Sequence, residues 1–561
     1  MKKMKMKKLG AAVMSAAMLL TLLAGCGSGS AAPAPSADVQ GEVSDVVDNA
    51  NQSGSVTGAH YYGGTLVVAT KLEPPYLMAN YIWDGSIPYI NRNILSKLAQ
   101  YDQDTGEIYG DLAESWEISD DLLTYTFHLR EGVNWHDGEP FTSADVQWTV
   151  QSILDYGEGA NAYEYVSMVD SIECPDDYTV VFHLNTPCAT FVNNCANYYG
   201  FDILPKHLYE GTDVDTNPYN AAPVGTGPFK YVESELGSYC RLEANPDYYG
   251  DGPYLDEIVF TFVPDETTAM TSLEAGEVGW MTATPSFAEA DRLSTVDGIE
   301  VDSQSTNIVQ WTMFNMDGSR GYISDKTVRE AICYAINNEN IASVLYMGMV
   351  QPSTSWYTST VAWANNTDAA YPGYDVDYAN KLLDDAGYEK GSDGYRFELT
   401  YRCFSTSIYG TTDIPNLVAQ YLDAIGIKLN VEIYEWALRT DMLDNDRAWD
   451  MCSMGGSRGP EASDFASFWG DNSSNKSRYV NQEILDLFDE GTKVSSEEER
   501  APIYFAIQDI LAEDIPAYNY IEYAYVRPHS AAYQGFFWQT SSGNSAEHML
   551  NTVEWTGGEL K

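Results

Sequence analysis

The segment Gly455-Gly456-Ser457-Arg458-Gly459 carries the pattern G-x-S-x-G, in which a serine on a sharp strand-to-helix turn becomes a nucleophile. A strand-like WDMCSM, 449–454, precedes it, and His529 and His548 lie downstream as candidate general bases. Two observations count against this chemistry. With 44 Gly in 561 residues, two glycines at one fixed spacing recur roughly three times by chance. Pro460 also pushes Gly459 away from helix, where a nucleophile elbow needs a helix to begin. An α/β-hydrolase-like esterase using Ser457 is thus a remote alternative, and the chain is not expected to be an enzyme. The seven His and eight Cys include no HExxH, no CxxC and no zinc-spaced cluster. The glycine loop VGTGPF, 224–229, lacks the lysine and spacing of a phosphate loop, and DQDTGE, 102–107, lacks the closing glutamate of a calcium loop. No metal and no cofactor are expected.

The elements that would position any site alternate in type. GGTLVVAT, 63–70, predicts a buried strand, and LTYTFHL, 123–129, alternates as a half-buried one. LAQYDQDTGEIYG, 98–110, reads as a hairpin around Asp104-Thr105-Gly106, and DDYTVVFHLN, 176–185, as a further hairpin arm. FTSADVQWTVQSIL, 141–154, predicts a helix capped by Thr142 or Ser143, with Asp145 in its first turn. Residues 254–281 read strand, turn, helix, with Gly276 as the stop. Helices follow over 325–346 and 377–388. Then come a strand at 396–404, helix and strand around Gly426 in 414–436, and helix then strand in 498–528. The class is α/β with an antiparallel-rich insert, and no repeat of 20–50 residues recurs.

The chain starts MKKMKMKK and continues with an apolar run, Leu9 to Ala24, too short to span a bilayer comfortably, which takes about 20 residues. A basic start, short apolar run and small residues read as a secretory signal over 1–25. Leu23-Ala24-Gly25-Cys26 resembles the bacterial lipobox, which implies lipidation of Cys26 and attachment to the outer face of the cytoplasmic membrane. Residues 26–60 then form a Gly/Ser/Ala/Pro-rich, acidic tether of roughly 30 Å. The remaining 500 or so residues exceed what one core usually serves, so two or more lobes are expected. The net charge of −52 excludes nucleic acid as a natural partner, because a phosphate backbone calls for Lys and Arg. Cys188 and Cys195 are the only close pair that an exported protein could oxidise.

Three stretches together resemble the bacterial extracytoplasmic solute-binding proteins of ABC importers, in the family 5 branch that takes dipeptides and oligopeptides. The first is IYGDLAESWEISDDLLTYTFHLREGVNWHDGEPFTSADVQWTV, 108–150. The second is PVGTGPFKYVE, 223–233, running into LEANPDYYGDGPYLDEIVFTFVPDETTAMTSLEAGEV, 242–278. The third is ISDKTVREAICYAINNENI, 323–341, followed by DYANKLLDDAGY. The resemblance implies a two-lobed periplasmic-binding-protein-like fold with a cleft between lobes. Lobe I would be 61–302 plus 516–561, with an insert at about 92–220, and lobe II 303–515. It further implies a monomer that hands peptides to a membrane permease, with oligosaccharides or nickel chelates as alternative solutes and peptide sensing as an alternative use of the same cleft.

In peptide-binding relatives a lobe II carboxylate meets the ligand's α-ammonium shortly before a Pro and an aromatic run. The matching stretch, 449–469, departs from that form, and leaves Glu461 and Asp464 competing for the role. Either could instead cap the following helix. Arg458, in the same loop, suits a ligand carboxylate or a brace to Glu461. Trp311, Trp356, Tyr357, Trp363, Trp436 and Trp469 fall in segments that should border the cleft, where aromatic walls suit peptide side chains and sugar faces alike.

Overall fold

A computed structural model of the chain describes residues 55–57, 60–82, 84–101, 108–196, 201–405, 412–457, 462–470, 475–494, 496–536 and 550–557. The leader, Cys26, the turn at 104–106, Arg458, Glu461 and His548 lie outside these residues, as do the side chains of Ser457 and Asp464. Residues 55–57, inside the expected tether, pair with His60–Tyr62 as a small antiparallel hairpin. Glu554 holds that hairpin through His60 Nδ1 at 2.6 Å and the Tyr61 N–H at 2.9 Å.

The expected buried strand is Thr65–Thr70 (β1), with all six residues inside. A four-stranded antiparallel sheet follows, built from Ala113–Ile118 (β2), Thr124–Leu129 (β3), Val169–Asp176 (β4) and Thr179–Leu184 (β5), in the order β2-β3-β5-β4. Strict alternation places Tyr125, Phe127 and Leu129 of β3 and Val180, Phe182 and Leu184 of β5 on one face. Helix Ser143–Tyr156 (α1) covers this sheet with Val146, Val150 and Ile153; Thr142 is its cap, and the Asp145 carboxylate in the first turn accepts the Thr142 N–H at 2.9 Å. The short helix Phe191–Cys195 (α2) adds Phe191, packed edge-on against Phe182 and Tyr125. Cys188 precedes it, Cys195 is its last residue, and both carry free thiols, like every cysteine among the described residues.

The main sheet has eleven strands. Beyond β1 they are Phe229–Glu235 (β6), Tyr239–Ala244 (β7), Glu257–Phe262 (β8), Trp280–Met281 (β9), Ile299–Phe314 (β10), Phe397–Ser405 (β11), Ile427–Glu435 (β12), Met451–Ser457 (β13) and Ala517–Ser530 (β14). Their order is β6-β7-β8-β1-β9-β14-β10-β13-β11-β12, and Gln351–Pro352 adds to β14 from the side. The helices are Glu266–Ala275 (α3), Phe287–Leu293 (α4), Lys326–Ala335 (α5), Asn338–Tyr346 (α6), Val376–Asp385 (α7), Asp413–Ala424 (α8), Gln482–Gly491 (α9) and Glu497–Asp514 (α10). Gly276, Gly387 and Gly426 sit at the predicted stops with positive φ.

Apolar packing divides this sheet into two halves. One core gathers residues between 66 and 280 with 532–555. Two others gather residues between 287 and 526. β14 and β10 join the two halves by pairing: β14 meets β9 at Trp280↔His529 and runs antiparallel to β10 from Ile299↔Ser530 to Met313↔Ala517, and β10 in turn pairs with β13. Their register jumps between Ser305↔Ala524 and Val309↔Glu522, so three residues of β10 face one of β14. The Thr306 hydroxyl fills the gap. Its Oγ1 donates to the Tyr523 carbonyl at 2.8 Å and accepts the Ile308 N–H at 3.1 Å.

α4 packs into the second region, where Phe287 lies edge-on to Tyr346 at 5.0 Å and to Tyr523 at 5.8 Å. Away from β10 and β14 the two regions also touch. On the far side the Ala189 N–H reaches the Thr492 carbonyl at 3.4 Å. Beside it an open pocket of about 440 Å³ lies between Asp120 and Leu122 of the β2–β3 turn and Lys493, Val494 and Ile503 near α9 and α10.

Two short segments far apart in sequence, Trp135–Gly138 and Gly225–Gly227, form one joint. His136 of Trp135-His136-Asp137-Gly138 accepts the Gly225 N–H at Nδ1 (3.2 Å) and donates from Nε2 to the Gly227 carbonyl (3.0 Å). A Cβ on Gly225 would sit 1.8 Å from the Ile94 carbonyl oxygen, so only glycine fits there. A second proton on His136 would turn its Nδ1 acceptor into a donor aimed at an N–H. Burial, the largest cause, lowers its pKa from 6.5 to about 4, against the raising effect of the bond to the Gly227 carbonyl. The unfolded imidazole therefore protonates first. Stability from the neutral ring is complete above pH 6.5 and is lost as the pH falls toward 4, by about 3 kcal/mol. Denaturant unfolding of wild type and His136→Asn at pH 7 and pH 4.5 should show a smaller acid-side loss in the variant, and equal losses would contradict this account.

Candidate functional site

The sheet changes hands where β10 bulges, and one row crosses it there: Glu522 of β14, Val309 of β10 and Gly456 of β13 lie in mutual register. Directly paired residues share a face. Val309 faces the core that holds Trp311, Met313, Trp356, Phe465 and Trp469, so Glu522 points to that side. One residue past Gly456, β13 ends at Ser457, and Arg458 and Glu461 follow it in sequence outside the described residues.

Two segments cover this face. The first runs from Ser353 to the 3₁₀ helix Ser359–Ala364 and is pinned to β14 by Asn519, whose Nδ2 donates to the Ser355 carbonyl at 2.9 Å. The second is the 3₁₀ helix Ala462–Phe468 with Trp469 after it. The Tyr357 hydroxyl joins them by donating to the Ala462 carbonyl at 2.6 Å. Thus Tyr357 anchors Ala462, where the described chain resumes after β13.

The predicted aromatic residues separate into two groups. Trp311, Trp356, Tyr357 and Trp469 are fully buried and form one packed cluster. Trp356 meets Trp469 edge-on at 5.8 Å, and Trp311 meets Phe468 at 5.3 Å. Trp363 lies edge-on to Tyr504 at 5.4 Å, beneath the Arg500 guanidinium. Trp436 instead is 46% exposed, with Arg439 over its ring at 5.1 Å and Phe404 at its edge. Together the cluster forms a stiff floor beneath the covering segments, while Trp436 stands at the surface near the end of β12.

Ser457 lies within β13, paired with Ile308, and the next described element is a 3₁₀ helix rather than an α-helix. His529 pairs with Glu300, eight residues away along β10, on the order of 25 Å of strand. Its Nε2 meets Asp302 Oδ2 at 3.2 Å. Ser457 therefore receives no imidazole from His529. Among the described residues no group of three His, Cys, Asp or Glu is placed to hold a metal ion, and no helix is long and apolar enough to cross a membrane.

Glu522 is the site residue that motif reading passed over. It is 5% exposed, and its Oε2 accepts the Ser359 N–H at 3.0 Å and the Ser359 hydroxyl at 2.6 Å. Burial raises its pKa above the ordinary carboxylate range, against the lowering effect of the two Ser359 donors. The signal was present: AYNYIEYAYV, 517–526, has one charged residue in an otherwise buried strand.

Comparison with known proteins gives this geometry its context. The sequence pattern of the bacterial extracellular solute-binding proteins, family 5 middle, matches residues 107–477. The oligopeptide-binding protein AppA of Bacillus subtilis is 28% identical over 488 residues, covering 83% of this chain and 87% of that one. Heme-binding protein A of Haemophilus influenzae is 28% identical over 504 residues, covering 84% and 90%. The structure of the periplasmic binding protein DppA of Helicobacter pylori, in complex with the peptide STSA, superposes with a TM-score of 0.66 at 29% identity, covering 88% of this chain and 98% of that one. A two-halved mixed sheet and a family pattern matched over residues 107–477 lead to one conclusion: this chain belongs to the bacterial extracellular solute-binding proteins of family 5.

Proposed function

We propose that the protein captures short peptides on the outer face of the cytoplasmic membrane and delivers them to an ABC permease. The likeness to a peptide-bound structure over 88% of the chain carries this reading, and the relative named for oligopeptide binding supports it. Lipidation at Cys26 would hold the protein at the membrane, and residues 26–60 would give it reach.

Lobe I is 61–302 plus 516–561, and lobe II is 303–515. They hinge where β10 and β14 cross between the cores. The bulge at 306–308 suits this role, because a side-chain hydroxyl replaces part of the regular ladder there. Closure presses the Ala189–Thr492 side together and buries the solute. The closed population is then the form that the permease recognises.

The loop of Arg458, Glu461 and Asp464 supplies the charged contacts, a carboxylate for the α-ammonium and the guanidinium for the peptide's carboxylate. Trp436 contributes an aromatic wall, and Trp311, Trp356, Tyr357 and Trp469 support the loop from below.

Two measurements test the proposal. In a thermal-shift screen of peptides, oligosaccharides and nickel chelates, short peptides should stabilise the protein, by about 2.7 kcal/mol at 100 times the dissociation constant. The Glu461→Gln/Asp464→Asn double variant should lose that response, and a response to sugars alone would remove the peptide reading. In solution scattering, a saturating peptide should reduce the radius of gyration, whereas an unchanged value would contradict lobe closure.

A further inference from the structure

Every buried leucine among the described residues but one belongs to an apolar core. The exception is Leu122, 6% exposed, in the turn that joins β2 to β3. Its neighbour Leu123 packs against the first of those cores, and Leu122 stands outside it. The turn is an uncommon place for this side chain. The Leu122 N–H donates to the Ser119 carbonyl at 2.9 Å, and the Ser119 N–H donates to the Thr124 carbonyl at 3.0 Å. Closing the turn in this way leaves Leu122 with a φ of 57°. Left-handed backbone is cheap for glycine and costly for a branched side chain. The turn alone therefore does not call for a leucine.

Leu122 lies at the gap between the two halves. It lines the pocket of about 440 Å³ together with Val494, which lies between α9 and α10, and Ile503 of α10. The Leu122 carbonyl accepts the Cys188 N–H at 3.3 Å. The next residue, Ala189, sends its N–H across the gap to the Thr492 carbonyl at 3.4 Å. The turn and the crossing bond thus belong to one rim. Charge does not draw the two sides together. Asp120 lines the pocket on one side, and Glu490 and Glu499 line it on the other. Lys493, the one cation in that lining, already pairs with Asp489. What the two sides can offer each other is apolar surface, Leu122 from one and Val494 and Ile503 from the other.

We propose that Leu122 is a positioning residue for solute capture, a latch whose side chain seats against Val494 and Ile503 when the lobes close. The inference rests on the solute-capture reading above and adds the contact that holds the closed form on the side away from the hinge. A glycine would close the same turn without strain but would present nothing across the gap. Closure shrinks the pocket and takes three apolar side chains out of water, which favours the closed form over the open one. Solute leaves only after this contact parts, so the latch acts on the rate of release.

Leu122→Gly and Ile503→Ala test it, singly and together, by melting temperature, hydrogen exchange and titration with trialanine and the peptide STSA. Without solute, Leu122→Gly should hold or raise the melting temperature, because the side chain belongs to no core and the backbone strain is relieved. Each change should speed exchange in the opposite lobe, Leu122→Gly at residues 490–494 and Ile503→Ala at residues 186–190. Each single variant should bind peptide about 3- to 10-fold more weakly through faster release. The double variant should bind no more weakly than the weaker single one, since either change already empties the contact. A fall of several degrees in melting temperature would make Leu122 an ordinary core residue and overturn the inference. Additive losses in the double variant would overturn it too, as would exchange across the gap equal to wild type. If wild type binds neither peptide and no other solute of the screen above, the solute-capture reading falls, and the exchange result alone upholds or overturns the latch.

Discussion

The antiparallel pairing of β10 with β14 is the interaction on which the rest of the structure depends. On one side β14 pairs with β9, and on the other β10 pairs with β13, so the strands of the two halves are placed relative to one another through this pair. Along β14 every residue from Ala517 to Ser530 is buried, which leaves no polar edge by which the strand could slip its register. The register jump at the middle is the exception, and the chain repairs it with the Thr306 hydroxyl rather than with backbone groups. The local weakness and the change of core coincide, as they must if the sheet is to bend there without tearing.

A chain with 82 acidic and 30 basic residues must place its few cations with care. Several are spent inside. Arg329 gathers the Ile515, Ile323, Ser324 and Asp514 carbonyls at 2.8–3.0 Å, closing the C-terminal end of α10 where it feeds β14. Arg402 joins β11 to Glu432 of β12 and to Asp446. Lys97 meets Asp202 between regions far apart in sequence. Each cation bridges segments that no apolar contact alone would align, and each neutralises a carboxylate or a set of carbonyls. Surface acidity is left largely uncompensated, which suits a soluble body and a weak taste for anions.

Much of the fold was legible because period and burial agree. LTYTFHL and TVVFHL alternate, and their inward residues form the face under α1. The glycines at 276, 387 and 426 mark helix ends because only they accept the left-handed turn at little cost. What stayed hidden was pairing at a distance. WHDG and TGPF read as two local turns, yet His136 binds Gly225 and Gly227 across some 90 positions, a contact that no periodicity encodes. The tryptophans show the same limit. Trp311, Trp356 and Trp469 share a cluster with no exposed ring, whereas Trp436 is exposed, and all four look alike in sequence. Glu522 was visible as a lone charge in an apolar strand, but the Ser359 partner and the bulge beside it exist only once the chain is folded.

The late place of β14 in the chain sets an order on biogenesis. The polypeptide is made and exported from its N-terminus, so β9 and β10 emerge long before the strand that lies between them. Until Ala517–Ser530 arrives, the main sheet is two fragments with bare edges, each a template for pairing with the wrong neighbour. A ribosome that stops short of residue 517 would release a chain lacking both the joining strand and the residues beyond 517 that complete the cores. Quality control at the cell envelope has, in that final strand, a single physical signature of completed synthesis.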